Sequence, residues 1–474
     1  MTYLFYDLET TGLNPSFDQI LQFAAIRTDA DLKEISRHEI LLKLRDDVIP
    51  SPYGMIAHNI SPEKATEAYC EYDAIREIHA LLNEPETISL GYNTLKFDDE
   101  FLRFSFYRNL LPPYTHQYAN NCGRMDIMPM LALYWLFRPE IIEWPKIDGK
   151  ISLKLELLKE KNKLASGVSH DAMVDVEATV ALAKRLQSDE EMWRHASDCF
   201  HKITDRKRWN DLRPFSEKIL KNFKFGLLSK VSYGSERDFL APVLLIGFSD
   251  VYKNQMLLLR LDRPELRETT IDNIPETTWI ERKKMGEPAI LLPPSKKMLE
   301  RMGAERLEIM QNNKEWLEAN GQLLNEIVSY YINFSYPRIP EVDVDTLLYQ
   351  TSFYSDQERK ICDAFHRQDL VGKTELIETM IRPDMRELAA RILFRNFGDE
   401  LNDLPEYLRT EQEQYRYSIN PVFSEEAALD FKGNKKLTPQ MALEQIVKLK
   451  KERELTQKQK TVIRNLEKRL KNFK

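Results

Sequence analysis

The 474-residue sequence has only four cysteines, and they lie far apart: Cys70, Cys122, Cys199 and Cys362. None forms the CxxC pair typical of structural zinc sites, and the spacing does not suit a disulfide framework. We therefore expect reduced cysteines. The sequence also lacks Gly/Ser tracts, internal repeats and any apolar run near the ~20 residues that span a bilayer. These absences exclude low-complexity, repeat and membrane-spanning proteins.

The chain has no excess of positive charge, since its formal net charge is −7 at pH 7. Phosphate binding is dominated by Lys and Arg, so this balance alone argues against a nucleic-acid partner. Net charge is an average, however, and acids that hold metal ions can coexist with local basic tracks. The first residues, MTYLFYDLET, lack the features of a secretory signal. We expect a cytoplasmic protein with no membrane contact.

Apolar alternation between turn signals predicts three successive strands over residues 3–9, 19–29 and 35–44. Helical spacing follows around residues 61–82, 98–109 and 129–137 and from Asp171 onward, with a short strand at 87–92. Strands followed by alternating helices are typical of an α/β layer fold.

Beyond Ser188 the pattern changes. Short apolar runs between Phe225 and Pro294 predict a small β-barrel, flanked by helix from Ser295 to Phe334. Everything from Asp345 to the end is typical of helix. The length fits about three domains, and we predict their bounds as 1–187, 188–340 and 345–474.

Acidic side chains at three places in the first predicted domain could form a metal site. Asp7 and Glu9 are two apart on a predicted strand, so their carboxylates project from the same face. A hard divalent cation between them would relieve their repulsion. The competing interpretation is a pair of solvated acids at a strand end.

Two further segments each offer alternative ligands. Asp98 follows a short apolar strand and opens a helix, but Asp99 is adjacent and either acid could instead cap that helix. Asp175 lies inside the helix that follows His170, and Asp171 competes with it although Asp171 has the position of an N-cap.

Together these groups suit a two-metal phosphodiesterase, in which two Mg²⁺ or Mn²⁺ ions roughly 4 Å apart stabilise the attacking and leaving oxygens. His170 would be the general base, because imidazole titrates near neutral pH. A lone histidine is more often structural, so its role depends on the acids beside it.

The segments YDLETTGL, GYNTLKFDDE and SHDAMVDVEAT resemble the three motifs of the DEDDh exonucleases in the ribonuclease H-like superfamily. The resemblance implies that Asp7, Glu9, Asp98 and Asp175 bind metal and that His170 is the general base. Through QFAAIRTD, FYRN and ISLKLELL the sequence is similar to the bacterial exonuclease I family in particular. That family has an exonuclease domain, an SH3-like barrel and a helical C-terminal domain.

The same resemblance implies processive 3′→5′ digestion of single-stranded DNA to nucleoside 5′-monophosphates in DNA repair and recombination. It also implies docking of the acidic C-terminal tail of single-stranded DNA-binding protein, and we expect a monomer near the bacterial nucleoid. Two alternatives remain. One is a related exonuclease for RNA 3′ ends or proofreading, and the other is a catalytically silent nucleic-acid-binding scaffold.

Candidate contacts with the DNA strand in the first domain are Thr10, Leu13, Tyr107, Arg108, Arg124 and Trp135. In the barrel, cations alternate with aromatic residues, a pattern that suits a single strand, although most of these rings could be core. The residues are Lys221, Lys224, Lys230, Arg237, Lys253, Arg282, Lys283 and Lys284, with Phe223, Phe225, Tyr233, Phe239 and Tyr252.

Two C-terminal features have simpler interpretations. In the last predicted helix, Ile463, Leu466, Leu470 and Phe473 form an apolar stripe, which predicts that the helix packs with its cations outside. Those cations are Arg464, Lys468, Arg469, Lys471 and Lys474. The segment VGKTEL resembles the end of a P-loop but lacks the first glycine, so we predict no use of ATP.

Overall fold

The protein is described from a computed structural model, which covers residues 1–58, 60, 68–165, 171–215, 222–398, 400–401, 404–419 and 427–471. The described residues form two compact units. The first contains residues 1–124, 166–177 and 338–474, and the second contains 125–165 and 178–337. Because each unit combines separate stretches of chain, the predicted domain bounds are not tested and remain a prediction.

In the first unit, the described residues form a five-stranded sheet with the order β3, β2, β1, β4, β5. All nine residues of β2 are buried, as expected for an inner strand, whereas β3 at the edge is mostly exposed. The strands are β1 (Thr2–Thr10), β2 (Ile20–Thr28), β3 (Glu34–Leu41), β4 (Thr87–Leu90) and β5 (Gly123–Arg124). The strand positions near the N-terminus confirm the sequence prediction.

The sheet combines both kinds of strand pairing. Strand β1 is antiparallel to β2, and β2 is antiparallel to β3. On its other side β1 is parallel to β4, which in turn is parallel to β5. A parallel neighbour requires a crossover connection, and helices supply it. The carboxyl end of β1 therefore opens beside the helix that follows β4, where ligands of α/β sheets usually bind.

The helices of the first unit come from both ends of the chain. They are α1 (Pro52–His58), α2 (Glu71–Leu82), α3 (Asp98–Arg108), α13 (Asp356–Arg367), α14 (Leu370–Thr379), α15 (Pro383–Asn396), α16 (Glu406–Ile419), α17 (Pro439–Glu452) and α18 (Gln457–Lys471). Helix α6 (Ala172–Gln187) begins in this unit and continues into the second. VGKTEL lies within α14 and not between a strand and a helix.

The second unit contains a five-stranded sheet, among the residues described, with the order β11, β10, β9, β8, β12 and antiparallel neighbours throughout. Its strands are β8 (Lys224–Ser229), β9 (Leu240–Phe248), β10 (Gln255–Arg260), β11 (Ile280–Lys284) and β12 (Ile290–Leu292), and β6 (Lys146–Ile147) pairs with β7 (Lys150–Ile151). The helices are α4 (Ile127–Phe137), α5 (Leu155–Asn162), α7 (Glu190–Ser197), α8 (Lys202–Asn210), α9 (Ile274–Thr277), α10 (Lys296–Arg301), α11 (Ala304–Ala319) and α12 (Gly321–Ile332).

The structure differs from the sequence predictions in several places. Helix α1 and strand β5 were not predicted. The predicted helix over 61–82 is confirmed only from Glu71: residues 68–70 are not helical, since Tyr69 pairs with Leu42 in an isolated β-bridge, and residues 61–67 lie outside the described residues. The C-terminal region is not helix throughout: Leu429 and Lys435 form an isolated β-bridge around a turn in which Gly433 has φ +80°. Among the described residues, no helix is both long enough and apolar enough to cross a membrane.

The last helix packs as its sequence predicted. Ile463, Leu466 and Leu470 are buried against residues of the N-terminal region such as Leu21 and Met55, while Arg464, Lys468 and Lys471 are exposed. Phe473 and Lys474 lie outside the described residues. The C-terminal helices thus complete the core beneath the first sheet, which the sequence alone did not reveal.

Replacing Leu466 by Ala is expected to lower the free energy of unfolding by about 2–5 kcal/mol, because the side chain is fully buried and leaves a cavity. Chemical denaturation would measure the change. Lys468→Ala, on the exposed face of the same helix, is the matched control and should stay within about 0.5 kcal/mol of wild type. Equal stability of Leu466→Ala and wild type would contradict the packing.

Candidate active site

Three of the candidate acids meet where β1 runs beside the start of α3. Asp7 and Glu9 project from β1, and the backbone amide of Leu8 between them donates to Oδ1 of Asp98 over 3.1 Å. Asp98 is the first residue of α3 and is 4% exposed. This hydrogen bond fixes the first helical residue against the strand, so that the carboxylates from β1 and α3 share one location.

Asp175 completes the set from the first turn of α6, where its amide donates to the carbonyl of Asp171 over 3.0 Å. Its negative charge acts on both Asp7 and Glu9. The structure therefore brings together the four acids that the sequence singled out. His170 lies outside the described residues, so its proposed role as a base stays a prediction.

The acids repel one another strongly. Burial and then the charges of Asp98, Glu9 and Asp175 raise the pKa of Asp7 well above its ordinary value. Burial, followed by the charges of Asp175, Asp98 and Asp171, raises the pKa of Glu9 to about 8. A cluster of carboxylates that resist ionisation together is the donor set that a hard divalent cation stabilises.

The donor set fits a metal ion in its chemistry. Within the described ranges, no three His, Cys, Asp or Glu side chains already surround a common point as ligands would. The four acids share a region and an electrostatic field, and a cation would supply the positive charge that this region needs. We therefore treat them as candidate ligands.

Asp99 has a different task from its neighbour Asp98. It is 1% exposed and its carboxylate binds Arg103 at 2.5 Å, His116 at 3.0 Å and also Arg124. Burial opposes its ionisation, but the charges of Arg124 and Arg103 outweigh burial and hold the pKa of Asp99 well below its usual range. The structure thus places Asp99 in an ion-pair cluster and leaves Asp98 facing the acids of β1.

Asp171 also differs in its surroundings from Asp175, the other candidate ligand in this segment. Its side chain is exposed, and Oδ1 accepts from the amide of Met173 over 3.2 Å, as a residue that caps a helix does. The N-cap interpretation of Asp171 agrees with this geometry.

Several predicted strand contacts are engaged elsewhere. Arg108 is 1% exposed, and its guanidinium donates to the carbonyl oxygens of Pro15, Ser16 and Asp18 over 2.8–3.2 Å. Tyr107 is 4% exposed and belongs to a buried apolar cluster. For these two residues the expectation of a direct contact is corrected, because neither side chain is open to a ligand.

The other candidates differ in their access to a ligand. Arg124 is occupied by Asp99, Thr10 is buried and donates to the carbonyl of Gly12 over 2.8 Å, and in the second unit Trp135 Nε1 donates to Asp238 over 2.8 Å. Leu13 is 82% exposed on the turn between β1 and β2. Of the six candidates, Leu13 is therefore the best placed to contact a ligand.

The candidate residues of the predicted barrel also divide into buried and exposed side chains. Tyr233 and Phe239 are core, and Phe223 and Phe225 pack against the core, as the more conservative interpretation predicted. Lys283 is buried beside Asp205 at 2.5 Å, and Lys230 pairs with Glu281 at 2.5 Å. Lys253 and Lys284 are exposed, whereas Lys221 lies outside the described residues.

The acids predict an unusual pH dependence of stability. The pKa of Glu9 is higher in the folded than in the unfolded chain, so the folded chain binds more protons and loses stability as pH rises from about 4.5 to about 8. Lowered pKa values of His79 and His366 act in the opposite sense within this window. The useful quantity is therefore the difference in the free energy of unfolding between Glu9→Gln and wild type.

We expect the metal-free Glu9→Gln variant to gain stability over wild type as pH increases from 5 to 8, measured by chemical denaturation. Saturation with Mg²⁺ should favour wild type instead, by about 2.7 kcal/mol when the ion is at 100 times its Kd. A difference between the two proteins that does not change with pH would contradict the repulsion.

Similarity to known proteins first identifies the class of protein to which the N-terminal region belongs. Residues 4–183 match the exonuclease family. This stretch contains all four acids, and residues 4–183 are therefore an exonuclease domain; the exonuclease family depends on divalent metal ions.

The particular relatives extend the similarity to the rest of the chain. Exodeoxyribonuclease I of Escherichia coli (strain K12) is 28% identical over 428 residues, which cover 85% of this chain and 86% of the relative. The zinc-bound form of the E. coli exonuclease I complex with single-stranded DNA has a TM-score of 0.82 at 23% identity and covers 100% of this chain and 99% of its own. A structure of single-stranded DNA-binding protein with exonuclease I and an inhibitor gives 0.80 at 24%, with the same coverage.

These findings confirm the predicted resemblance to bacterial exonuclease I and the DEDDh group. They also confirm the fold class in outline: an α/β exonuclease domain followed by further parts that contain a second sheet and many helices.

Proposed function

We propose that this chain is a 3′→5′ exonuclease that degrades single-stranded DNA processively to nucleoside 5′-monophosphates, acting in DNA repair and recombination. The observation that carries the proposal is the convergence of Asp7, Glu9, Asp98 and Asp175 within an exonuclease domain. The complex of E. coli exonuclease I with single-stranded DNA supports the choice of substrate.

In this proposal the four acids hold two Mg²⁺ ions, with Mn²⁺ as a possible substitute, and the bound ions supply positive charge to the attacking and leaving oxygens. His170 accepts the proton of the attacking water at its imidazole nitrogen. Asp99 anchors the start of α3 to His116 and to Arg124 of β5, so that Asp98 stays directed at β1. Leu13 contacts the end of the strand from its exposed turn.

The remaining parts retain the strand between successive cuts, since an active site alone would release DNA after each one. We assign this role to residues 188–340 and 345–474, and in particular to exposed cations such as Lys253 and Lys284. The acidic tail of single-stranded DNA-binding protein is the proposed partner, supported by the structure of that protein with exonuclease I. We further propose a monomer that works in the bacterial cytoplasm, where this substrate is found.

Digestion of end-labelled single-stranded and duplex DNA and RNA, with and without Mg²⁺, tests the proposal. We expect single-stranded DNA labelled at its 5′ end to shorten progressively, only with the metal, and duplex DNA to resist. Faster digestion of RNA would favour the alternative exonuclease, and no digestion of any substrate would favour the silent scaffold. Release of a 5′ label as the first product would contradict the polarity.

A further inference from the structure

The turn between β1 and β2 carries the exposed Leu13 only a few residues after Glu9, and it is held by its own polar side chains. The carboxylate of Asp18 accepts from the hydroxyl of Thr11 at 3.0 Å and from the amide of Asn14 at 2.8 Å. A Cβ on Gly12 would lie 2.4 Å from that carboxylate, so glycine is needed for the close approach. The turn is thus compact, and Asn14 is one of the residues that connect it to the rest of the unit.

The side chain of Asn14 connects this turn to the C-terminal region. Its Oδ1 accepts from the amide of Ser16 at 3.0 Å, and its Nδ2 donates to Oδ2 of Asp430 at 2.9 Å. These two contacts define which atom of the Asn14 amide is Oδ1 and which is Nδ2. Asp430 is 2% exposed, and its Oδ1 accepts from the amides of Lys432 and Asn434, each at 2.8 Å. The acceptor that Asn14 meets is therefore fixed as well.

The segment around Asp430 also touches the helix that carries a candidate metal ligand. Phe431 stacks on Phe104 with ring centroids 5.6 Å apart and an interplanar angle of 24°. Phe104 belongs to α3, which begins at Asp98 and ends at Arg108, and Arg108 holds the far side of the same turn. One C-terminal segment thus contacts both structures that border the acids.

From these contacts we infer that Asp430 is a positioning residue of the exonuclease reaction, which through Asn14 fixes the Leu13 turn against the 3′-terminal nucleotide. The inference rests on the proposed function. Asp430 is buried and its carboxylate accepts from Asn14, Lys432 and Asn434, so its loss should weaken the grip on the strand and leave the hydrolytic chemistry intact.

Asp430→Asn is the discriminating variant, because its amide oxygen can still accept from the backbone amides of Lys432 and Asn434, while its NH₂ faces the side-chain NH₂ groups of Asn14 and Asn434. We expect KM for a single-stranded oligonucleotide to rise about tenfold, the scale of a lost hydrogen bond to a charged group. Hydrolysis of bis(p-nitrophenyl) phosphate, which has a phosphodiester but no nucleoside for the turn to contact, should stay within about twofold of wild type.

The reciprocal double variant, Asn14→Asp with Asp430→Asn, restores a donor opposite an acceptor and should recover most of the affinity. Asp356→Asn, an exposed acid on α13, is the charge-matched control and should behave as wild type. An unchanged KM in Asp430→Asn, equal losses on both substrates, or failure of the double variant to recover would each overturn the inference. If wild type itself fails to digest the oligonucleotide, the proposed function fails instead.

Discussion

The Asp7→Asn variant is expected to lose exonuclease activity and yet to melt at a higher temperature than wild type when metal is absent. Activity should fall at least about 10²-fold, the scale for removal of one electrostatic stabiliser of a transition state. The metal-free gain follows because burial and three neighbouring carboxylates disfavour the charge of Asp7. A neutral amide of the same shape relieves this repulsion.

Two measurements on the same protein check the loss of activity and the gain in stability. They are turnover of a single-stranded oligonucleotide with Mg²⁺, and a thermal melt in chelator at pH 8. Asp31→Asn, an exposed acid after β2, is the control and should change neither. Full turnover by Asp7→Asn would rule out a ligand role for Asp7. A lower melting temperature in chelator would show that the carboxylate is stabilised by groups other than a cation.

The expected loss of activity together with a gain in metal-free stability matters, because this combination distinguishes a functional cluster of acids from a structural one. Asp99 is buried beside Asp98, but it has cationic partners in Arg103 and Arg124 and its pKa is lowered. Asp99→Asn should therefore destabilise the fold, whereas the acids of β1 cost stability in the metal-free chain. When a residue lowers the stability of the ligand-free protein, its presence in the sequence is best explained by a ligand that it binds.

The sequence predicted the strands and the four acids because both depend on local pattern. Alternation of apolar residues defines β1 and β2, and a spacing of two places Asp7 and Glu9 on one face wherever the strand lies in the fold. The choice between Asp98 and Asp99 could not be made from residue type alone. It depends on the positions of Arg103, His116 and Arg124, which only the tertiary structure brings to one of the two carboxylates.

The predictions that were wrong involve residues whose environment comes from distant parts of the chain. Arg108 resembles a surface cation in sequence, but the turn at residues 15–18 folds over it and takes its donors. The segment around Asp430 is shaped locally, by amides that donate to Asp430 and by Gly433 in a left-handed turn, and it has no periodic signal; its contact with Asn14 spans 416 residues. Contacts of this kind are set by sequence separations of 90 residues or more, which no local pattern encodes.

His170→Ala should slow hydrolysis of single-stranded DNA by at least about 10²-fold, the usual scale for a lost general base. His170 immediately precedes the segment that carries Asp171 and Asp175 in the sequence, and its imidazole suits proton transfer near neutral pH. The variant should keep its affinity for Mn²⁺ and for the strand, because neither requires the imidazole. Rapid-quench measurement of a single turnover would isolate the chemical step.

A base that only accepts a proton can be replaced from solution, and this distinguishes it from a structural histidine. Added imidazole should restore part of the activity of His170→Ala, with a pH profile that follows the added base. His201→Ala, an exposed histidine of the second unit, is the matched control and should need no such rescue. Turnover by His170→Ala that equals wild type would make the histidine structural, and the proton would then have to leave through one of the acids, whose raised pKa values suit that task.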